Sequence, residues 1–136
     1  MPFDRQLVSS GTPWETSVGY ARAVRIGPHV WVSGTTATDA QGGIVAPGDG
    51  YGQTLRILSN VEQALMQVGA ALTDVVRTRL YVTDIAQWQA IGQAHGEVFG
   101  QIRPAATMVE VSRLITPEMV VEIEVDAFIQ RAVEAL

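Results

Sequence analysis

Cysteine is absent from this chain, which removes disulfides, thiolate metal sites and cysteine nucleophiles at once. Lysine is absent as well; all nine cations are arginines. Without a Schiff-base lysine the chain is not itself a lysine-anchored pyridoxal enzyme, and a P-loop is excluded for the same reason. Histidine is reduced to His29 and His95, and neither belongs to a ligand spacing such as His-x-x-x-His. Both read as structural or surface groups, and no metal is expected. No Gly-x-Ser-x-Gly elbow occurs. Basic charge is scarce: the net charge of −5 and a pI near 4.9 disfavour a nucleic-acid binder, which needs a cationic footprint. No apolar run approaches the ~20 residues of a membrane span. Met1 to Glu15 carry no apolar stretch behind a basic start, so the expectation is a cytoplasmic protein away from membranes.

What is present suits a folded domain. Across 136 residues, 47% are hydrophobic and 17% charged, globular values that argue for one domain over residues 1–136. Ala21 to Ile26 and Val30 to Val32, separated by Gly27-Pro28, read as a hairpin. Thr35 to Gly50 is dense in Thr, Asp, Gly and Pro and reads as a loop; the glycine-rich run Gly48 to Gly52 lacks dinucleotide spacing. Leu58, Val61, Leu65 and Val68 recur at helical spacing, with Gly69 placed to end the helix. Val75 to Val82 is a strand by its Val, Thr and Tyr content. Thr83 or Asp84 caps a second helix carrying Ile85, Trp88, Ile91, His95 and Phe99, with Gly100 and Pro104 beyond its end. Thr107 to Val111 and Val120 to Ile129 read as a closing hairpin. The predicted order is β-β-α-β-α-β-β, an α+β fold with a mixed sheet covered on one face by two helices.

The last strand defines the other face. Val121, Ile123, Val125, Ala127 and Ile129 alternate with Glu122, Glu124, Asp126 and Phe128. The first set belongs under the helices. The second puts three carboxylates in a row, for which Arg77, Arg79, Arg22 and Arg25 are natural partners. Such a face is either solvated or packed against further subunits, and an uncovered sheet with Val109, Val111 and Phe128 nearby favours association. Glu122 stands in the strand body between apolar neighbours, where burial raises a carboxyl pKa and suits it to act on water or a substrate proton. Tyr20 and Ser33, on composition alone, read as ordinary hydrogen-bonded groups.

The run Arg103-Pro104-Ala105-Ala106-Thr107-Met108-Val109-Glu110-Val111-Ser112-Arg113-Leu114, followed by Val121-Glu122-Ile123-Glu124, resembles the C-terminal signature of the Rid family, also called YjgF. Supporting matches are Val18-Gly19-Tyr20, Trp31-Val32-Ser33-Gly34, and Val76-Arg77-Thr78 leading to Tyr81-Val82-Thr83-Asp84, so the similarity covers roughly residues 16–130. The resemblance implies a chorismate-mutase-like fold assembled as a homotrimer, with small-molecule clefts between subunits and no cofactor. It also implies hydrolysis of reactive enamines and imines such as 2-aminoacrylate.

Carried over singly, Glu122 takes the place of the family's water-orienting glutamate, Tyr20, Ser33 and Gly34 those of cleft-lining residues, and Trp88 that of an aromatic near the pocket. The pattern departs at three points: the carboxylate-binding arginine is Ala106, a frequent asparagine is Gly92, and a frequent cysteine is Met108. Alanine cannot grip a carboxylate, and loss of such a charge-assisted pair costs on the order of 2–5 kcal/mol. The departures argue against ordinary 2-aminoacrylate-type activity and for a bulkier or less anionic ligand held by Ala106, Met108 and the retained residues. The alternatives are a non-catalytic trimer that binds a small metabolite or regulates a partner and, less favoured by the acidic charge, the endoribonuclease or translation-inhibitor role also ascribed to family members.

Overall fold

The computed structural model describes residues 4–130, so the ends of the expected 1–136 domain lie outside the described residues. In chain order the elements are β1 (Arg5–Val8), a single π-turn (Glu15–Gly19), β2 (Ala23–Ile26), β3 (His29–Thr35), α1 (Gly50–Met66), β4 (Val75–Val82), α2 (Trp88–Phe99), β5 (Ala105–Glu110) and β6 (Val121–Phe128). The strands form one mixed sheet in the order β1-β2-β3-β6-β4-β5. The predicted α+β architecture is present, with β1 added at one edge.

One expectation is corrected. The two closing strands do not form a hairpin: β5 pairs in parallel with β4, whereas β6 lies between β3 and β4, antiparallel to both. Burial explains the placement. Val121, Ile123, Val125, Ala127 and Ile129 are all within 3% of full burial, and a strand so thoroughly covered belongs at the centre of the sheet. β5 is exposed at nearly every position and takes the edge.

α1 buries Ile57, Leu58, Val61, Ala64 and Leu65 against the sheet, the face its periodicity specifies. It closes as expected at Gly69, whose φ of +79° lets Ala70 N–H reach Leu65 O at 2.9 Å and Gly69 N–H reach Met66 O at 3.1 Å. Those paired bonds are a Schellman closure. Arg25 does not serve the acidic row; its guanidinium donates to Val68 O at this helix end and to Gly27 O, where the helix dipole favours a cation. Before α2, Asp84 caps a short 3₁₀ turn (Ile85–Gln87) by accepting from Ala86 N–H at 3.0 Å.

The irregularity that matters most lies in β3. Val32 pairs with Val125 and Thr35 with Ile123, so Ser33 and Gly34 together oppose Glu124. This β-bulge shifts the side-chain phase by one: Val30 and Val32 are buried before it, and Thr35 is buried after it. The bulge brings Gly34 over the start of β6, against Glu122.

Candidate functional site

Glu122 is half-buried on the face of β6 that no helix covers, and its register partner on β4 is Tyr81. A Cβ on Gly34 would lie 2.7 Å from Glu122 Oε2 and 3.0 Å from its Cδ. Gly34 is not among the positive-φ glycines, so glycine is required here for room, not for backbone conformation. Burial pushes the Glu122 carboxyl above the usual carboxylate range; Arg22 pulls it down and Glu124 pushes it up.

Further along the strand, compensation is local. Arg79 lies 3.9 Å from Glu124 and 3.3 Å from Asp126, and Tyr81 donates its hydroxyl to Glu124 at 2.5 Å. Arg77 faces Asp126 in register. Arg79 thus fills the pairing role expected of it. Glu122 is the carboxylate of this row that lies over Gly34 and opens into a cleft.

That cleft has a volume of about 730 Å³ and is walled by Tyr20, Arg22, Gly34 and Glu122, by the segment Ser9 to Trp14, and by the polar flank of α1. Ser33 flanks the cleft, but its hydroxyl donates to Ala21 O at 2.7 Å and locks the bulge.

Trp88, Ala106 and Met108 lie elsewhere. In register Ala106 matches Thr78 and Met108 matches Leu80, and both partners are buried on the helix side of the sheet. Ala106 and Met108 therefore face the helix side of the edge strand. Trp88, 55% exposed, opens α2, and a Cβ at Gly92 would meet nothing within 4 Å. Here His95 contacts Thr78 at 2.9 Å and burial lowers its pKa, the structural role expected. His29 stacks on Trp31 at 5.6 Å between ring centroids and meets Phe128 edge-on. Within one chain the predicted residues thus form two groups: Tyr20, Ser33, Gly34 and Glu122 at the bulge, and Trp88, Gly92, Ala106 and Met108 along the β5–α2 edge.

Sequence reasoning missed a third group. Arg22, expected to pair with the acidic row, is buried and lies 3.5 Å from Glu15, itself buried. Burial works against the Glu15 charge, but hydrogen bonds from Ser10, Thr12 and Ser9 outweigh it and hold the carboxyl at about 2. The pattern Thr12-Pro13-Trp14-Glu15 carried the signal, since a hydroxyl followed three residues later by glutamate, with proline between, marks a helix start. Here Thr12 Oγ1 donates to Glu15 Oε2 at 2.8 Å. Among the described residues no cluster of three His, Asp or Glu side chains could hold a metal ion, and no helix is long and apolar enough to cross a membrane.

Comparison with known proteins places this arrangement in context. The family model described as Endoribonuclease L-PSP matches residues 12–129. The Streptomyces coelicolor protein SCO2049 is 37% identical over 121 residues, 89% of this chain and 90% of its own length. The 3-aminoacrylate deaminase RutC of Acinetobacter baylyi is 32% identical over 117 residues, 86% of this chain and 91% of its own. Among solved structures, Rv2704 of Mycobacterium tuberculosis, a member of the YjgF/YER057c/UK114 family, superposes with a TM-score of 0.84 at 51% identity. The match covers 93% of this chain and all of that one.

Proposed function

This chain belongs to the endoribonuclease L-PSP family, the YjgF/Rid proteins, and from that premise we propose that it is a cytoplasmic, cofactor-independent hydrolase of imine or enamine C–N bonds. The observation that carries this reading is Glu122, half-buried above the Gly34 bulge in a cleft shared with Tyr20. A carboxylate in that setting takes a proton from water as the water oxygen adds to the imine carbon. That proton passes to nitrogen, the hydroxyl proton of the resulting carbinolamine follows it through Glu122 as the C–N bond breaks, and a carbonyl compound and ammonia leave. The name of the Acinetobacter relative, a 3-aminoacrylate deaminase, supports chemistry of this kind.

The substrate we propose lacks the carboxylate that an arginine would grip. Position 106 is an exposed alanine, and a Cβ at Gly92 would meet open space. The working unit is a homotrimer whose clefts join the bulge of one subunit to the β5–α2 edge of the next. Supporting association, the uncovered sheet face presents Leu7 at 61% and Trp31 at 45% exposure.

The test is ammonia release from a panel of imines with and without a carboxylate, alongside sedimentation equilibrium. We expect turnover of the members without a carboxylate, its loss in Glu122→Ala, and three times the chain mass. Equal rates for the wild type and Glu122→Ala on every substrate refute the reading. The vacancy left by Ala106 favours one rival, a trimer that binds a metabolite without turning it over. That rival predicts thermal stabilisation by the same compounds with no ammonia.

A further inference from the structure

Arg22 is the most heavily committed side chain of the cleft, and the proposed chemistry gives it no part. Its backbone bridges two strands, with Arg22 N–H donating to Val8 O at 2.8 Å and Arg22 O accepting from Ser33 N–H at 2.9 Å. Its side chain crosses to the bulge. Nη1 donates to Gly34 O at 2.6 Å and to Thr35 Oγ1 at 3.1 Å. Nη2 donates to the Tyr20 hydroxyl at 3.3 Å and lies 3.5 Å from Glu15 Oε2, while Nε donates to Ser10 Oγ at 3.3 Å. A guanidinium has five N–H donors, and here five acceptors surround it.

We propose that Arg22, braced from behind by Glu15, is the positioning residue of this cleft: it fixes the Ser33–Gly34 bulge and the Tyr20 hydroxyl against Glu122 and sets its positive charge on the cleft wall that Glu122 shares. The inference rests on the function proposed above, but its geometry does not. Two consequences follow. Arg22 commits four hydrogen bonds and an ion pair to protein groups, so it does not replace the arginine missing at position 106. And the charge balance at Glu122 is set by protein groups: Arg22 on one side, Glu124 along the strand, and Tyr81 opposite on β4, with Arg79 held by Glu124 and Asp126. Glu15 limits how strongly Arg22 acts, because its own charge is held ionised by Ser10 and Thr12.

The test reads Glu122 directly, by carboxyl ¹³C NMR titration of the intact protein, and needs no substrate. In Arg22→Gln the Glu122 midpoint moves to higher pH, since a favourable charge is gone. Glu15→Gln moves it the other way, since Arg22 then acts without its counter-charge; if Arg22→Gln does not fold, Arg22→Lys keeps the test decisive, because a lowered midpoint there overturns the proposal. Arg22→Lys holds the midpoint near that of the wild type but cannot span all five acceptors, so turnover falls through kcat while KM changes little. A merely structural arginine predicts something else: Arg22→Gln and Arg22→Lys both loosen the bulge, hydrate Glu122 and lower its midpoint. An unmoved or lowered midpoint in folded Arg22→Gln overturns the proposal, as does an unmoved or raised one in Glu15→Gln. The expected titrations without any ammonia release would refute the hydrolase alone, whereas ammonia release with unmoved midpoints would refute the role of Arg22 alone.

Discussion

Gly34→Ala separates geometry from stability at this site. The added Cβ would sit 2.7 Å from Glu122 Oε2, 3.0 Å from Cδ and 3.3 Å from Cγ. Ordinary carbon contacts need roughly 3.5 Å, so the carboxylate must retreat by about 0.8 Å. The obstacle is the far end of a flexible side chain, and an off-rotamer χ costs only ~0.5–1.5 kcal/mol. The backbone at Gly34 does not have positive φ, so alanine also gains ~0.4–1 kcal/mol by restricting the unfolded chain. Stability should therefore change by less than about 1 kcal/mol. Catalysis should not be spared, because a displacement approaching 1 Å costs up to ~10²-fold. Urea melts give the first quantity and ammonia release from the best imine the second. A variant with full turnover would show that Glu122 need not lie where it does. One destabilised by more than about 2 kcal/mol would show that the bulge is rigid for another reason.

Glu15, held at about 2, lies below its unfolded value of ~4.3; its contribution, on the order of 2–3 kcal/mol, is complete above the unfolded value and fades as pH falls toward 2. Urea melts between neutral pH and pH 3 should show that slope, and Glu15→Gln should flatten it. Glu122 has the opposite sign: its folded pKa is raised, so its ionisation weakens the fold as pH rises past the unfolded value. Glu122→Gln should melt above the wild type at about pH 8 and lose the advantage near ~pH 4. Gln53, fully buried, donates to Glu118 O at 2.7 Å and Ala46 O at 3.2 Å and accepts from Val120 N–H at 2.9 Å; Gln53→Leu should cost ~2–4 kcal/mol in urea melts, since three backbone groups lose their partner. In thermal-shift assays, small amidinium compounds should stabilise the protein more than carboxylates of equal size; the reverse order would contradict a cleft without a free anion clamp.

The sequence disclosed the two faces of β6, because five apolar residues at alternate positions mark a strand buried on one side only. The same alternation did not say which strand lies beside it. Residues 111–120 are long enough to close a hairpin or to carry the chain across the sheet, and only the exposure of β5 settles the choice. β1 went unread for a related reason, as Arg5–Val8 buries a single residue, Val8, and so shows no period. At the site, Glu122 was legible as a carboxylate in a strand body. Arg22 was misread because a charge between Ala21 and Ala23 looks like the wet side of a strand. Its burial depends on Glu15 and the hydroxyls of Ser10 and Thr12, and that compensation forms only when the π-turn folds back over β2.

The charges of the cleft point to the kind of ligand it suits. Arg22 is matched by Glu15 and by neutral acceptors on every other N–H. Arg56, on the α1 wall of the cleft, donates its Nε to Thr38 O at 3.1 Å. In the trimer proposed above, the β5–α2 edge of the next subunit adds an alanine where a cation would be needed. An anionic ligand beside Glu122 would therefore bring two negative charges together in a half-buried place, a repulsion of a few kcal/mol at ~4 Å. An iminium ion meets the reverse. Its positive charge is attracted to the carboxylate in the ground state and disappears as water adds, while the proton released from that water neutralises Glu122. Keeping the acid while lacking the arginine is thus coherent chemistry for a substrate whose only charge is on its nitrogen.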